Sequence, residues 1–299
     1  MVLLTGATGY IGRALLPALL KCGLKVRTMG RNLSDDVYLD LLSSMEFSKD
    51  FPGKGFSGVS QVVHCAGLTH REASPGLFDQ INTQATLNLA RHASKAGVRR
   101  FIFLSSLNII PSGADDPTMD AMLYPLPIDP YELSKWQTER QLSEFCKRVE
   151  MSLIILRPAA VYDIELKANL AKLKKLLRYW PCCLPRKGKR CLVARPDLVA
   201  LICSLAETAF PHQKKIVVAT DGETYDSYRI GELLTNCRLR LSVPDEFYRF
   251  AARLLDYTLF CRLGDSWQTL IKDHWCAASP EVEDWSPKWN LETRLKKKI

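Results

Sequence analysis

No C-x-x-C pair occurs among the ten cysteines of this 299-residue chain, Cys182 and Cys183 are merely adjacent, and the five histidines fall at no metal-ligand spacing. The common zinc frameworks are therefore excluded, and no metal site is expected. No window holds eighteen uncharged apolar residues, so no spanning helix and no stable membrane insertion is expected. The opening MVLLTGATG lacks a basic leader, and the expectation is a cytoplasmic protein with reduced thiols. Internal repeats and low-complexity tracts are also missing, which excludes solenoids and disordered arrays.

What is present describes an ordinary folded chain. Hydrophobic residues make up 47% and charged residues 24%. The length suits two domains, or one large domain with an appended lobe. The net charge of +9 could suit nucleic acid, an anionic membrane face or a phosphorylated small molecule. Its distribution is uneven: Lys167, Lys172, Lys174, Lys175 and Arg178 form one basic group, and Arg186, Lys187, Lys189 and Arg190 another. The terminal Lys296, Lys297 and Lys298 read as a solvated tail.

Short apolar runs alternate with helical stretches through the first half. The runs are VLLT (2–5), KVRTM (25–29), VYLDL (37–41), VSQVVHC (59–65), RRFIFLS (99–105) and MSLIILR (151–157). Helical apolar spacing covers 10–22, 77–96 and 131–149. Right-handed crossovers wind such units into an α/β, Rossmann-type doubly wound parallel sheet. Residues 1–165 form the expected sheet domain and 166–299 a smaller C-terminal lobe, within which KKIVVATDG (214–222) has the look of a strand returning to the main sheet. Further helices are expected at 168–180, 197–210, 228–236 and 245–263. The last of these, apolar but carrying Arg249, Arg253 and Arg262, reads as a packed lobe helix rather than a membrane-surface one.

TGATGYIG sets Gly6, Gly9 and Gly12 between the first strand and the first helix. In that context the first glycine permits a tight turn, the second admits a pyrophosphate to the backbone, and the third allows close helix packing. The expected ligand is a nicotinamide dinucleotide, NAD(P). After the second strand the chain reads TMGRN, with Gly30 and Arg31 and no acid, which favours NADP over NAD. In DPYELSKW, Tyr131 and Lys135 lie one helical turn apart on one face. A free tyrosine titrates near ~10, so it needs an adjacent cation to act near neutrality.

With TGATGYIG, HCAG (64–67), FIFLSS (101–106), YELSK (131–135) and LRPAAVY (156–162) in this order, the chain resembles the extended short-chain dehydrogenase/reductase family. Within it the sequence is most similar to bacterial UDP-hexose 4-epimerases and 4-keto-sugar reductases. That resemblance implies Tyr131 as acid/base, Lys135 as its partner and Ser106 as the orienting hydroxyl. It implies Gly6, Gly9, Tyr10, Ile11, Gly12, Arg31, Asp40, Leu41, Ala66 and Gly67 around the dinucleotide, and Asn169 and Arg190 as contacts to a nucleotide-sugar diphosphate. Asn82 and Asn88 are placed on the fourth crossover helix with local hydrogen-bonding roles. A homodimer through the helices at 77–96 and 131–149 is expected by the same resemblance, and no nucleic-acid partner.

Several positions depart from the family pattern. Asp163 stands in the glycine place after Val161 and Tyr162, and Pro196 stands where an acid is expected, with Asp197 one place on. The connection from Arg31 to Val37 is short, and LNIIPSG follows Ser106 where many relatives carry an aromatic and a glycine. The expected activity is epimerisation or 4-keto reduction at C4 of a nucleotide sugar, with UDP the expected nucleotide. The alternatives are an NADPH-dependent reductase of a non-sugar ketone and a non-catalytic dinucleotide-sensing or assembly protein on the same fold.

Overall fold

The computed structural model describes residues 1–31, 35–38, 55–69, 73–166, 168–179, 184–208, 214–235, 272–276 and 285–296. Its strands are β1 (Val2–Thr5), β2 (Val26–Gly30), β3 (Val37–Tyr38), β4 (Gln61–His64), β5 (Arg100–Leu104), β6 (Ser152–Pro158), β7 (Ala160–Tyr162), β8 (Arg190–Ala194), β9 (Lys214–Ala219) and β10 (Thr224–Tyr225). Seven of them pair side by side as β3-β2-β1-β4-β5-β6-β9, and every pairing is parallel. β1, β4 and β6 are buried along their whole length, and their centres accordingly carry adjacent apolar residues instead of alternating ones.

Helix α1 (Gly12–Lys21) follows β1, and α2 (Pro75–Phe78) leads through a π-helical segment, Asp79–Gln84, into α3 (Ala85–Lys95). The later helices are α4 (Pro130–Arg148), α5 (Ala168–Tyr179), α6 (Arg195–Glu207), α7 (Ser227–Thr235) and α8 (Leu291–Lys296). One face of the sheet is closed by Leu15 and Leu19 of α1 with Leu198, Leu201 and Ile202 of α6. The other is closed by Leu87, Leu89 and Ala90 of α3 with Leu142 and Cys146 of α4.

A separate core forms around a three-stranded sheet ordered β10-β8-β7. Leu173, Leu177, Leu192, Ile230, Leu234 and Leu291 pack there against the fully buried Tyr162 and Tyr225. β9 belongs to the main sheet, in register with β6 from Leu153↔Lys214 to Pro158↔Ala219. The strand expected at 37–41 is described over Val37–Tyr38; Leu39, Asp40 and Leu41 lie outside the described residues, as does the helix expected at 245–263.

Strand order reverses between β1 and β4, on either side of which the chain crosses to opposite faces. Ligands of open parallel sheets bind beyond the carboxyl ends of the strands at such a point. The glycine turn, Ala66, Gly67, Ser106 and the start of α4 all lie there.

Candidate active site

The turn from β1 to α1 is built around absent side chains. Gly6 has φ +73°, and a β-carbon on it would lie 2.6 Å from the Ala66 nitrogen. A β-carbon on Gly12 would lie 2.0 Å from the Gly6 carbonyl oxygen, so only glycine lets α1 begin this close to β1. The first turn of α1 has no acidic residue and no side-chain cap, so no carboxylate opposes an anion at its N-terminus. These features fit a dinucleotide pyrophosphate.

Asp129 starts the next part of the site. Its Oδ1 accepts from the Tyr131 and Glu132 amides at 2.9 and 3.1 Å, and Pro130 occupies the first helical position. α4 therefore begins at a fixed point, with Tyr131 in its first turn and Lys135 one turn on. Ser106 lies two residues beyond β5, caps the short helical turn Leu107–Ile109 and stands near enough to the Tyr131 hydroxyl to act on its titration. Burial pushes the Tyr131 phenol up to about 12; the Ser106 hydroxyl opposes this, and the Glu132 and Asp129 charges add to it.

Lys135 is buried, and its Nζ donates to the Leu104 carbonyl at 2.9 Å and lies 4.7 Å from the centre of the Phe103 ring. Burial brings it down to about 8, with Cys65 and Glu139 pulling the other way. A β-carbon on Gly67 would stand 3.4 Å from this ammonium and 3.1 Å from Asn82 Oδ1. The bare backbone after β4 thus lets both groups approach.

Asn82 does more than bond locally. Its Oδ1 accepts from the Leu68 amide at 2.7 Å, and its Nδ2 donates to the Leu68 carbonyl and to Ser134 Oγ at 3.1 and 3.0 Å. The π-helical segment turns Asn82 toward the site, and Thr83 and Thr138 extend the network to the Ser134 carbonyl at 3.2 and 2.7 Å. Asn88 keeps the local role, accepting from Arg91 at 2.8 Å. Behind the site His64 bridges Thr5 and Thr86 through its two ring nitrogens, at 2.7 and 2.8 Å. Burial and the Lys135 charge bring it down to about 3, so it stays neutral.

At the far end of β2, Arg31 is exposed. The Asp35 carboxylate lies beside Gly30, and Asp36 Oδ2 accepts from the Thr28 amide at 2.7 Å. Asp40 and Leu41, expected near the adenine, lie outside the described residues. Arg190, the first residue of β8, is set by its own lobe: Nε donates to the Gly188 carbonyl at 3.1 Å and Nη2 to Ser227 Oγ at 3.4 Å. Asn169 lies in the first turn of α5.

The residue in the family's glycine place, Asp163, joins the start of α6 to α8. Its Oδ2 accepts from Arg195 Nε at 2.6 Å, and its Oδ1 from Arg294 Nη2 at 2.6 Å and Nε at 3.0 Å. Arg195 also donates to the Tyr10 carbonyl at 3.3 Å and stacks 4.6 Å above the Tyr10 ring centre. Asp197 is buried and accepts from the Lys288 and Trp289 amides at 3.1 and 2.9 Å, anchoring the C-terminal segment.

A doubly wound parallel sheet with a glycine turn at β1 and a serine, tyrosine and lysine above its carboxyl edge defines a dinucleotide-dependent enzyme class. The model of the NAD dependent epimerase/dehydratase family matches residues 2–176, and the chain belongs to that family. A UDP-glucose 4-epimerase of Vibrio cholerae is 32% identical over 280 residues, covering 88% of this chain and 81% of the relative. The UDP-glucose 4-epimerase of Thermotoga maritima, solved with UDP-glucose, superposes with a TM-score of 0.72 at 20% identity over 99% of this chain and 96% of its own. That of Thermus thermophilus, solved with NAD, gives 0.70 at 20% over 99% and 97%. The protein is an enzyme of this family.

Proposed function

We propose that the protein acts at C4 of a nucleotide sugar, UDP being the expected nucleotide, as an NAD(P)-dependent epimerase. The observation that carries this reading is Tyr131 in the first turn of α4 beside Ser106, with buried Lys135 one turn along the same helix. The similarity to the Vibrio cholerae 4-epimerase over most of both chains supports the epimerase version. When bound, a nicotinamide dinucleotide supplies the hydride acceptor and donor.

The chain's own groups do the rest. Tyr131 holds and moves the proton of the sugar's 4-hydroxyl at its phenolic oxygen, and Ser106 orients that oxygen. A phenol near 12 is protonated at neutrality, so its base form needs a cation brought close, and Lys135, near 8, is still largely charged there. The glycine turn and α1 amides hold a pyrophosphate. Arg190 and Asn169, on the second lobe, are suitable donors to the diphosphate of the sugar nucleotide. Residues 1–165 and 166–299 would then act as cofactor and substrate halves, and pairing of two copies through α3 and α4 is part of the same proposal.

A second reading, reduction of an existing 4-keto sugar by NADPH, uses the same residues and draws on Arg31. Purified protein separates the two. Retained dinucleotide together with interconversion of UDP-hexoses supports the epimerase; NADPH consumption with a 4-keto sugar and no interconversion sinks it.

A further inference from the structure

The Asp35 carboxylate fills a space that position 30 leaves open. A β-carbon on Gly30, the last residue of β2, would lie 2.5 Å from Asp35 Oδ2, 3.2 Å from its Cγ and 3.6 Å from its Oδ1. The shortest of these is close to the reach of an aspartate's own carboxylate oxygen from its β-carbon. Asp35 thus places a carboxylate about where an acid at position 30 would carry one.

The return of the chain fixes this placement. Asp36 Oδ2 accepts from the Thr28 amide at 2.7 Å and from Thr28 Oγ1 at 3.1 Å, and the Asp36 amide donates back to Thr28 Oγ1 at 3.0 Å. β3 then pairs Val37 with Met29 and Tyr38 with Gly30. Asp35 is locked between these contacts and the end of β2. The short connection that removes the usual acid from the end of the strand also brings a different one back to it.

At the carboxyl end of β2 an acid accepts a hydrogen bond from the 2′-hydroxyl of an adenosine ribose and repels a 2′-phosphate, whereas an arginine attracts that phosphate. Both types are present here. Arg31 is exposed, so its charge acts through solvent and is screened. Asp35 is half-buried against the strand, and its effect on a phosphate bearing nearly two charges is stronger. Asp36 adds a second negative charge at the same edge.

We infer that Asp35 is the cofactor-specificity residue and selects a dinucleotide with a free 2′-hydroxyl, NAD, over NADP despite Arg31. This rests on the dinucleotide reading given under the proposed function, and it reverses the preference drawn from Gly30 and Arg31 alone. It also favours the epimerase version over the NADPH-dependent one.

Titration calorimetry of the stripped protein with NAD+ and with NADP+ reads the preference without turnover. The wild type is expected to bind NAD+ at least about tenfold more tightly. Asp35→Asn should shrink that ratio about tenfold, chiefly through tighter NADP+ binding. Gly30→Ala keeps every charge but pushes the carboxylate aside, and should shrink the ratio too. A wild type that prefers NADP+, or an unchanged ratio in both Asp35→Asn and Gly30→Ala, overturns the inference alone. If neither dinucleotide binds, the proposed function falls with it.

Discussion

Lys135 is a buried ammonium with a carbonyl and an aromatic face for company, which is thin compensation for its desolvation. The cost should be measurable. Burial lowers its folded-state pKa to about 8 against an unfolded 10.5. Between these values the unfolded chain holds a proton that the folded one has released, so this group's contribution to stability rises with pH across the window. Below pH 8 the penalty is complete. Lys135→Met should therefore melt at a higher temperature than wild type at pH 7, by a margin that shrinks toward pH 10.5, while losing turnover. Thermal scans from pH 7 to 10 check this, and a lower melting temperature at pH 7 would contradict it. The nearness of Ser106, Tyr131 and Lys135 could be read because each sits in a short local motif. Asp35 could not, since its importance depends on how sharply the chain turns back along β2.

At the scale of elements, the π-helical segment is the piece that joins the loop after β4 to α4. Asn82 saturates both polar groups of Leu68 and reaches Ser134, so its amide holds Gly67 close to Lys135. Removing it leaves buried donors and acceptors without their partner. Asn82→Ala should cost about 1–3 kcal/mol of stability, read from denaturant midpoints, and should weaken dinucleotide binding as well. Unchanged stability would show that water replaces the amide at no cost.

Strand positions could be read from the sequence because fully buried parallel strands leave continuous apolar runs, and VLLT matches β1 at both ends. The π-helical turn could not be read. Its residues, DQINTQ, fit an ordinary helix, and the extra residue per turn follows from packing against α4.

Across the whole molecule, Asp163 ties the helix packed on the main sheet to the C-terminal helix of the separate core. It receives Arg195 from the start of α6 and Arg294 from α8, and Arg195 reaches on to the Tyr10 carbonyl beside the glycine turn. Burial raises its pKa, but the bonds from Arg294 and the Ile164 amide and the charges of Arg195 and Arg294 outweigh this and hold it below the usual carboxylate value. Its stabilisation is present at neutral pH and is lost as pH falls through that lowered value. Asp163→Asn should leave two guanidiniums uncompensated and cost about 2–4 kcal/mol at pH 7, with the difference from wild type narrowing below pH 4. Denaturant titrations at pH 7 and at a series of values well below 3.8 test both parts; a loss that never narrows on acidification would rule out a charge effect. The sequence marks Asp163 as a departure from a glycine, but its partners lie 32 and 131 residues away, so its task appears only in the folded chain.

The central claim is that Tyr131 moves the proton at the sugar's C4 oxygen. Tyr131→Phe keeps the ring against Phe78 and removes only the phenolic hydroxyl. UDP-hexose interconversion by the variant should fall by about 10²–10⁴-fold, with dinucleotide affinity and melting temperature close to wild type. A Tyr131→Phe protein that turns over at the full wild-type rate would contradict the account.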